Sequence, residues 1–434
     1  MLAEPPLSEE TEETSILFAK LKLLFFNCQL IYLSSSSVNH LQLTMSNTNR
    51  IDVADALRGF SILGICLLHS IEHFNFYEYP PGVPAIWLKF TDTIIWDSLF
   101  FIFGGKAYAI FALLFGFSFF IQNDNQVQKG QDFRPRFAWR LVLLFIWGNL
   151  NAIFFTAEVL VLFAIMGFLM IPLSSLKTKT LLIIAAICII QPIEWAKVIY
   201  ALANPEFQIG KSLDSAYWAI TMNAQKNASF LEMAKINLWY GQLASLAWAW
   251  ENGRCFQVIS LFIFGFVIGR TKFFVYSEKN IRQWGRLLVI SIVCFFPLYG
   301  LISTIPNFIE NLAILKPLTL IIQSLAKFSF TVFLISLVIL AFYTPTKGKK
   351  WLSKLIPIGK MSLTAYITQS LIGSFIFYNW GLGLYDKLGI TYSFLVGIGI
   401  FMAQYIFATW WMKTHRHGPL EYIWKKATWI GTNK

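Results

Sequence analysis

The stretch Asp52-Val-Ala-Asp-Ala-Leu-Arg-Gly-Phe-Ser-Ile-Leu-Gly-Ile-Cys-Leu-Leu-His-Ser-Ile-Glu-His-Phe74 is apolar, with ionisable residues at both ends and few between. On a helix, His69 lies only about 20° from the line through Arg58, and Glu72 and His73 fall about 40° to one side and about 60° to the other. One helical face therefore carries Arg58, His69, Glu72 and His73 over roughly 20 Å. An ionisable group inside a bilayer costs about 2.5–3.5 kcal/mol on insertion scales, so a row of them marks a site.

Composition sets the class around this helix. Hydrophobic residues make up 56% of the 434 residues and charged residues 13%, about half the charged share of a soluble domain. Apolar runs long enough to span a bilayer recur along the chain, which predicts an all-α, polytopic membrane protein. The formal charge of +12 would suggest nucleic acid in a soluble protein. Here the cations sit in short loops between apolar runs, so they speak of topology and no nucleic-acid partner is expected. The five cysteines, Cys28, Cys66, Cys188, Cys255 and Cys294, form no CxxC pair and read as packing residues.

Residues 1–46 look foreign to the rest. They open acidic (Glu9, Glu10, Glu12, Glu13) and carry a serine run at Ser34–Ser37, which predicts either a poorly ordered tail or a non-native extension, the second with Met45 as the true start. Residues 47–434 are expected to form a single transmembrane helical domain. After the first helix, spans are expected at 93–122, 137–155, 157–173, 181–203, 255–269, 287–305, 315–342, 361–380 and 392–412, about ten in all. Gly104-Gly105-Lys106 stands mid-span in the second, where paired glycines permit a bend and Lys106 must face protein or water. The aromatic-rich stretch 204–250 reads as amphipathic helices along the outer surface, and 413–434 as an interfacial cytoplasmic tail.

Lysines and arginines set the orientation. Lys129/Arg134/Arg136, Lys177/Lys179, Lys272/Lys279/Arg282/Arg286 and Lys347/Lys349/Lys350/Lys354 fall in alternate connections, and the tail adds Lys413, Arg416, Lys425 and Lys426. The connections between them are poor in cations, so both termini are expected inside. Arg58 then sits at the inner mouth of the first helix and His69, Glu72 and His73 in its outer half. Glu158, Glu194 and Arg254 fall towards the outer side, and Lys106, Lys327 and Gln369 nearer the middle.

Several segments resemble the YeiB-type family (DUF418) of uncharacterised bacterial membrane proteins. They are Asp55-Ala-Leu-Arg-Gly-Phe60, Phe103-Gly-Gly-Lys106 with Phe111-Ala-Leu-Leu-Phe-Gly-Phe117, and Gly253-Arg254 with Leu261-Phe-Ile-Phe-Gly265 and Gly269-Arg270. Gly359-Lys-Met-Ser-Leu-Thr-Ala-Tyr366 with Gln369-Ser370, and Gly418-Pro-Leu-Glu-Tyr422 with Trp424, complete the set. The likeness implies a multi-pass protein of the bacterial cytoplasmic membrane. More distantly, an Arg followed by a His on the first helix resembles the transmembrane acyltransferase superfamily. That likeness implies an acyl group moved from a cytoplasmic acyl-CoA donor to an envelope glycan, lipid or small amine. His69 would be the base and Glu72 its orienting carboxylate. Arg58 would face donor phosphates, Lys106 would neutralise an oxyanion, and Glu158, Arg254 and Gln369 would bind substrate or donor.

Two other readings compete. His69-Ser-Ile-Glu-His73 spells a His-x-x-Glu-His zinc pattern, but no third ligand is evident, so no metal is expected. A secondary transporter or exporter of a small solute would instead use Lys106, Glu158, Glu194 and Lys327 as solute or proton sites. Besides substrate, the expected partners are membrane lipids.

Overall fold

A computed structural model describes residues 51–75, 80–82, 84–210, 212–345 and 347–431. The extension read at 1–46, with the proposed start at Met45, lies outside the described residues. Among those residues the chain is helical, with no strand.

The helices in order are α1 (Asp52–Ile71), α2 (Ile86–Phe103), α3 (Ala107–Val127), α4 (Arg134–Ala152), α5 (Leu160–Leu173), α6 (Thr178–Ile189) and α7 (Pro192–Ala203). Next come α8 (Leu213–Asn227), α9 (Phe230–Ile236), a π-helical turn Asn237–Gly241, α10 (Gln242–Glu251), α11 (Arg254–Arg270) and α12 (Glu278–Thr304). The last are α13 (Leu312–Tyr343), α14 (Lys347–Lys354), α15 (Ile356–Lys360), α16 (Ser362–Phe377), α17 (Gly389–Trp411) and α18 (Pro419–Thr428). The chain is a multi-pass helical membrane protein. Five helices or helix runs are long and apolar enough to cross a bilayer, and the bent pairs α6–α7 and α9–α11 raise the number to seven. Helices α5 and α16 are apolar but only 14 and 16 residues long, and α4 carries Arg134, Arg136 and Arg140 in its first half.

α1 is the hub. Most of it is buried, whereas α12 is largely exposed and displays Val293 and Ile290 as a lipid-facing surface does. α1 packs against α2, α3, α15, α16 and α17.

The sequence segments that carry the family likeness meet in pairs. Gly59 packs on the Leu355 carbonyl and Gly359 on the Asp55 carbonyl, so Asp55-Ala-Leu-Arg-Gly59 lies backbone to backbone on α15. Gly116 faces the Phe262 carbonyl and Gly265 the Leu113 carbonyl, which clamps α3 to α11 in the same way. A Cβ at any of these positions would overlap the opposing oxygen, which is how small residues hold membrane helices close. The tail helix α18 is tied in by Glu421. Its carboxylate accepts from the Leu363 N–H at 2.7 Å, the Thr364 N–H at 3.1 Å and the Thr364 hydroxyl at 2.6 Å, capping α16. Arg136 in turn donates to the Thr428 carbonyl at 2.9 Å, and the Arg140 guanidinium lies 4.0 Å over the Trp424 ring. These two cations at the start of α4 thus also dock the tail.

Candidate functional site

Three helical runs break close together. Between α2 and α3 the chain turns at Gly105, whose φ of 73° suits a residue without a Cβ. Between α10 and α11 it turns at Gly253, φ 64°. Between α6 and α7 it turns at Gln191, whose side-chain amide donates to the Gly253 carbonyl at 3.0 Å and to the Ser324 hydroxyl at 3.0 Å. Beside these breaks lies a cavity of about 740 Å³. Its floor and walls come from the C-terminal end of α1, the α2–α3 break, the α4–α5 connection, α8, α10, Arg254, Lys327 and Tyr366.

Of the residues singled out in the sequence, His69, Glu72, Lys106, Glu158 and Arg254 all line this cavity, together with His73 and Lys327. Gln369 sits directly behind it, 1% exposed, with its amide nitrogen 3.3 Å from His69 Nδ1. The imidazole also packs on Phe155 at 4.5 Å between ring centres. Gln369 can meet Nδ1 with either end of its amide. The nitrogen donates to a bare Nδ1, and the oxygen accepts from a protonated one. The amide oxygen is buried and has no other hydrogen-bond partner among the described residues. Turned to Nδ1–H, it leaves Nε2 as the free base.

Three expectations change. Glu72 is not the partner of His69. Its carboxylate lies 3.6 Å from His73 Nε2, because the helix ends at Ile71 and the chain turns there. Arg58 is not in the cavity. It is ion-paired to Asp55 one turn away and donates to the Ser118 hydroxyl at 2.7 Å, pinning α1 to α3. Eleven positions apart, Arg58 and His69 stand about 16 Å from each other along the helix. Glu194, a candidate of the transport reading, also lies elsewhere, paired with Lys197 at 2.7 Å.

Glu158 is 1% exposed. Its carboxyl accepts from the Asn151 amide and from the Leu160 N–H at the start of α5, where the helix dipole favours a carboxylate. The segment 204–250, read as lying on the surface, supplies one wall of the cavity through α8 and α10. It is stitched down by Gln225 donating to the Thr156 hydroxyl and by the Ser245 hydroxyl donating to the Glu158 carbonyl at 2.9 Å.

The cations are held without carboxylates. Lys106 Nζ donates to the Phe100 carbonyl at 3.1 Å and the Phe101 carbonyl at 2.7 Å, closing the end of α2. Arg254 donates to Gln257 Oε1 at 2.9 Å, with its guanidinium 4.6 Å over Tyr108 and 5.1 Å over Trp248. The Tyr108 hydroxyl donates to the same Gln257 oxygen. Tyr366, 1% exposed, lines the cavity with a hydroxyl that has no hydrogen-bond partner among the described residues. Tyr108 and Gln257 carried no signal of their own in the sequence, and Tyr366 stood only as the last residue of one family motif. Lys327 did, as a cation inside a long apolar run.

Residues 268–431 match the family described as "Protein of unknown function (DUF418)". The chain is similar over 422 residues to the uncharacterized protein YxaH of Bacillus subtilis (strain 168), at 26% identity, covering 91% of this chain and 97% of that one. It is 24% identical over 383 residues to an uncharacterized 39.9 kDa protein in the amylase 3' region of Bacillus acidopullulyticus, covering 88% and 94% of the two chains. A shorter stretch of 72 residues is 35% identical to the uncharacterized protein YeiB of Escherichia coli (strain K12), covering 16% of this chain and 18% of that one. The likeness seen in the motifs therefore holds: residues 268–431 of this membrane protein match the DUF418 family, and YeiB is among its relatives.

Proposed function

We propose that the cavity is an acyl-transfer site in a bacterial cytoplasmic membrane, taking an acyl group from acyl-CoA to a hydroxyl or amine on an envelope glycan, a lipid or a small amine. The observation that carries this reading is His69 on the cavity wall with Gln369 behind Nδ1. In the proposed reaction, Nε2 takes the proton of the acceptor O–H or N–H, and the freed pair attacks the thioester carbonyl carbon. The carbon–sulfur bond then breaks, and the departing CoA thiolate takes the proton back from the imidazolium. Gln369 is a positioning residue that fixes the ring and its tautomer. Lys106 has one ammonium proton left for the developing oxyanion after its two carbonyl bonds. Glu158 and Arg254 face the acceptor and donor from the other walls. Arg58 is left as an anchor of α1, so the donor must enter the cavity itself. The orientation with both termini inside, read from the loop cations, belongs to this proposal.

A second reading is a carrier for a small anionic solute. It is favoured by the meeting of interrupted helices at the cavity, an arrangement that presents helix termini to a solute. Purified protein incubated with radiolabelled acetyl-CoA and a panel of glycan, lipid and amine acceptors distinguishes the two. Label appearing on an acceptor supports transfer. Proton-gradient-driven solute flux without any transferred label supports the carrier.

A further inference from the structure

The three cations of the cavity gather around the α2–α3 break. A side chain begun at Gly105 would meet Lys327 Cδ at 3.2 Å and the Arg254 guanidinium nitrogens at 3.3 and 3.4 Å. Lys106 is the next residue, with Nζ 5.3 Å from the ring centre of Phe330, one turn along α13 from Lys327. Among the described residues, no carboxylate lies within 4.0 Å of any of the three, and Lys327 Nζ has no hydrogen-bond partner. Glu72, Glu158 and Asp214 also line the cavity but are bound elsewhere: to His73, to Asn151 and the Leu160 N–H, and to the Ser212 hydroxyl.

Three like charges gathered in a partly dry cavity repel one another, and the Glu72 carboxylate, the one that acts on Lys327, offsets this only in part. Two helices also begin here, α3 at Ala107 and α11 at Arg254, and each adds the positive end of its dipole. The buried, unpartnered Tyr366 hydroxyl lines the same cavity.

We infer that Lys106, Arg254 and Lys327 form a binding site for a phosphate group. A phosphate brings three oxygens and close to two negative charges, which suits donors arriving from three separate helices. A carboxylate brings two oxygens and one charge. The phosphate belongs either to the CoA moiety of a donor or to an anionic lipid headgroup. The inference deepens the acyl-transfer reading by naming what the substrate carries, but the site needs no acyl chemistry in order to bind.

The test uses the full-length protein purified in detergent, without acyl donor, and calorimetric titration of paired probes. The pairs are CoA against pantetheine and dioctanoylphosphatidic acid against dioctanoylglycerol, with inorganic pyrophosphate as the bare anion. At least one phosphate-bearing probe binds while its phosphate-free counterpart does not. In Lys327→Gln its affinity falls about tenfold or more, although the unliganded variant melts no lower than the wild type, because Lys327 has no hydrogen bond or close ion pair to lose and the repulsion by Arg254 and Lys106 is relieved. Gly105→Ala, which crowds two of the cations, weakens the same probe. His69→Ala leaves the affinity unchanged, which separates this site from the transfer chemistry. Preferred binding of CoA identifies the donor as the source, and preferred binding of phosphatidic acid identifies a lipid. Equal binding of both members of each pair, no binding of any probe, or undiminished affinity in Lys327→Gln overturns the inference.

Discussion

His69 Nδ1 and the Gln369 side-chain amide stand 3.3 Å apart, across the interface of α1 and α16. The ring is therefore held by a neutral partner, and the nearby carboxylate of Glu72 is turned to His73. Under the transfer reading, Gln369→Leu removes the polar partner of Nδ1 behind the cavity and leaves the imidazole unfixed. The expected outcome is a fall in kcat of about tenfold to a hundredfold with KM little changed. Equal loss in both constants, or none in either, removes Gln369 from the positioning role.

The glycine contacts make a second prediction. Gly359→Ala and Gly265→Ala drive a methyl group into a facing carbonyl oxygen, so each destabilises by about 2–3 kcal/mol or more. Gly399→Ala in α17 has open space around its Cβ and is neutral or stabilising by up to about 1 kcal/mol. Thermal melting in detergent ranks the three variants.

Glu421 supplies a pH dependence. Burial pushes its carboxyl above the ordinary range, and the hydrogen bonds from Thr364 and Leu363 oppose that without cancelling it. A carboxyl raised on folding binds its proton more tightly in the folded state. Stability therefore falls as pH rises from the ordinary Glu value of about 4.3 through the raised value, and is level above it. Relative to Glu421→Gln, which does not titrate, the wild type gains melting temperature as pH falls through that window. A gap independent of pH contradicts the assignment. Glu421→Ala, which loses all three bonds to α16, costs roughly 2 kcal/mol at neutral pH.

The helical membrane fold was legible because apolar runs of spanning length leave little else to build. The cavity residues His69, Lys106, Glu158 and Arg254 were legible for a related reason, since an ionisable side chain inside or at the edge of such a run stands out. Their neighbours were not. Gln369 drew notice but not as the partner of His69, and Tyr108, Gln257 and Tyr366 are ordinary residues of membrane helices until the fold brings them to the cavity. Arg58 shows the opposite failure. Its angular alignment with His69 is real, but alignment on one helix face says nothing of the 16 Å or so between them. The Asp55 carboxylate one turn away had already claimed its charge. The break at Gln191 was hidden because a left-handed residue is foreseen at glycine and seldom at glutamine. The helix-period pattern of 204–250 shows an apolar face without telling whether lipid or a cavity wall lies against it.

The central claim is that His69 performs acyl transfer in the cavity, and single-turnover transfer from radiolabelled acetyl-CoA by wild type and His69→Ala tests it most directly. The account predicts label on the acceptor with the wild type and a loss of about a hundredfold or more in His69→Ala, with the melting temperature and CoA affinity of the variant retained. Transfer undiminished in His69→Ala, or no transfer by the wild type to any acceptor while it carries solute along a proton gradient, contradicts it.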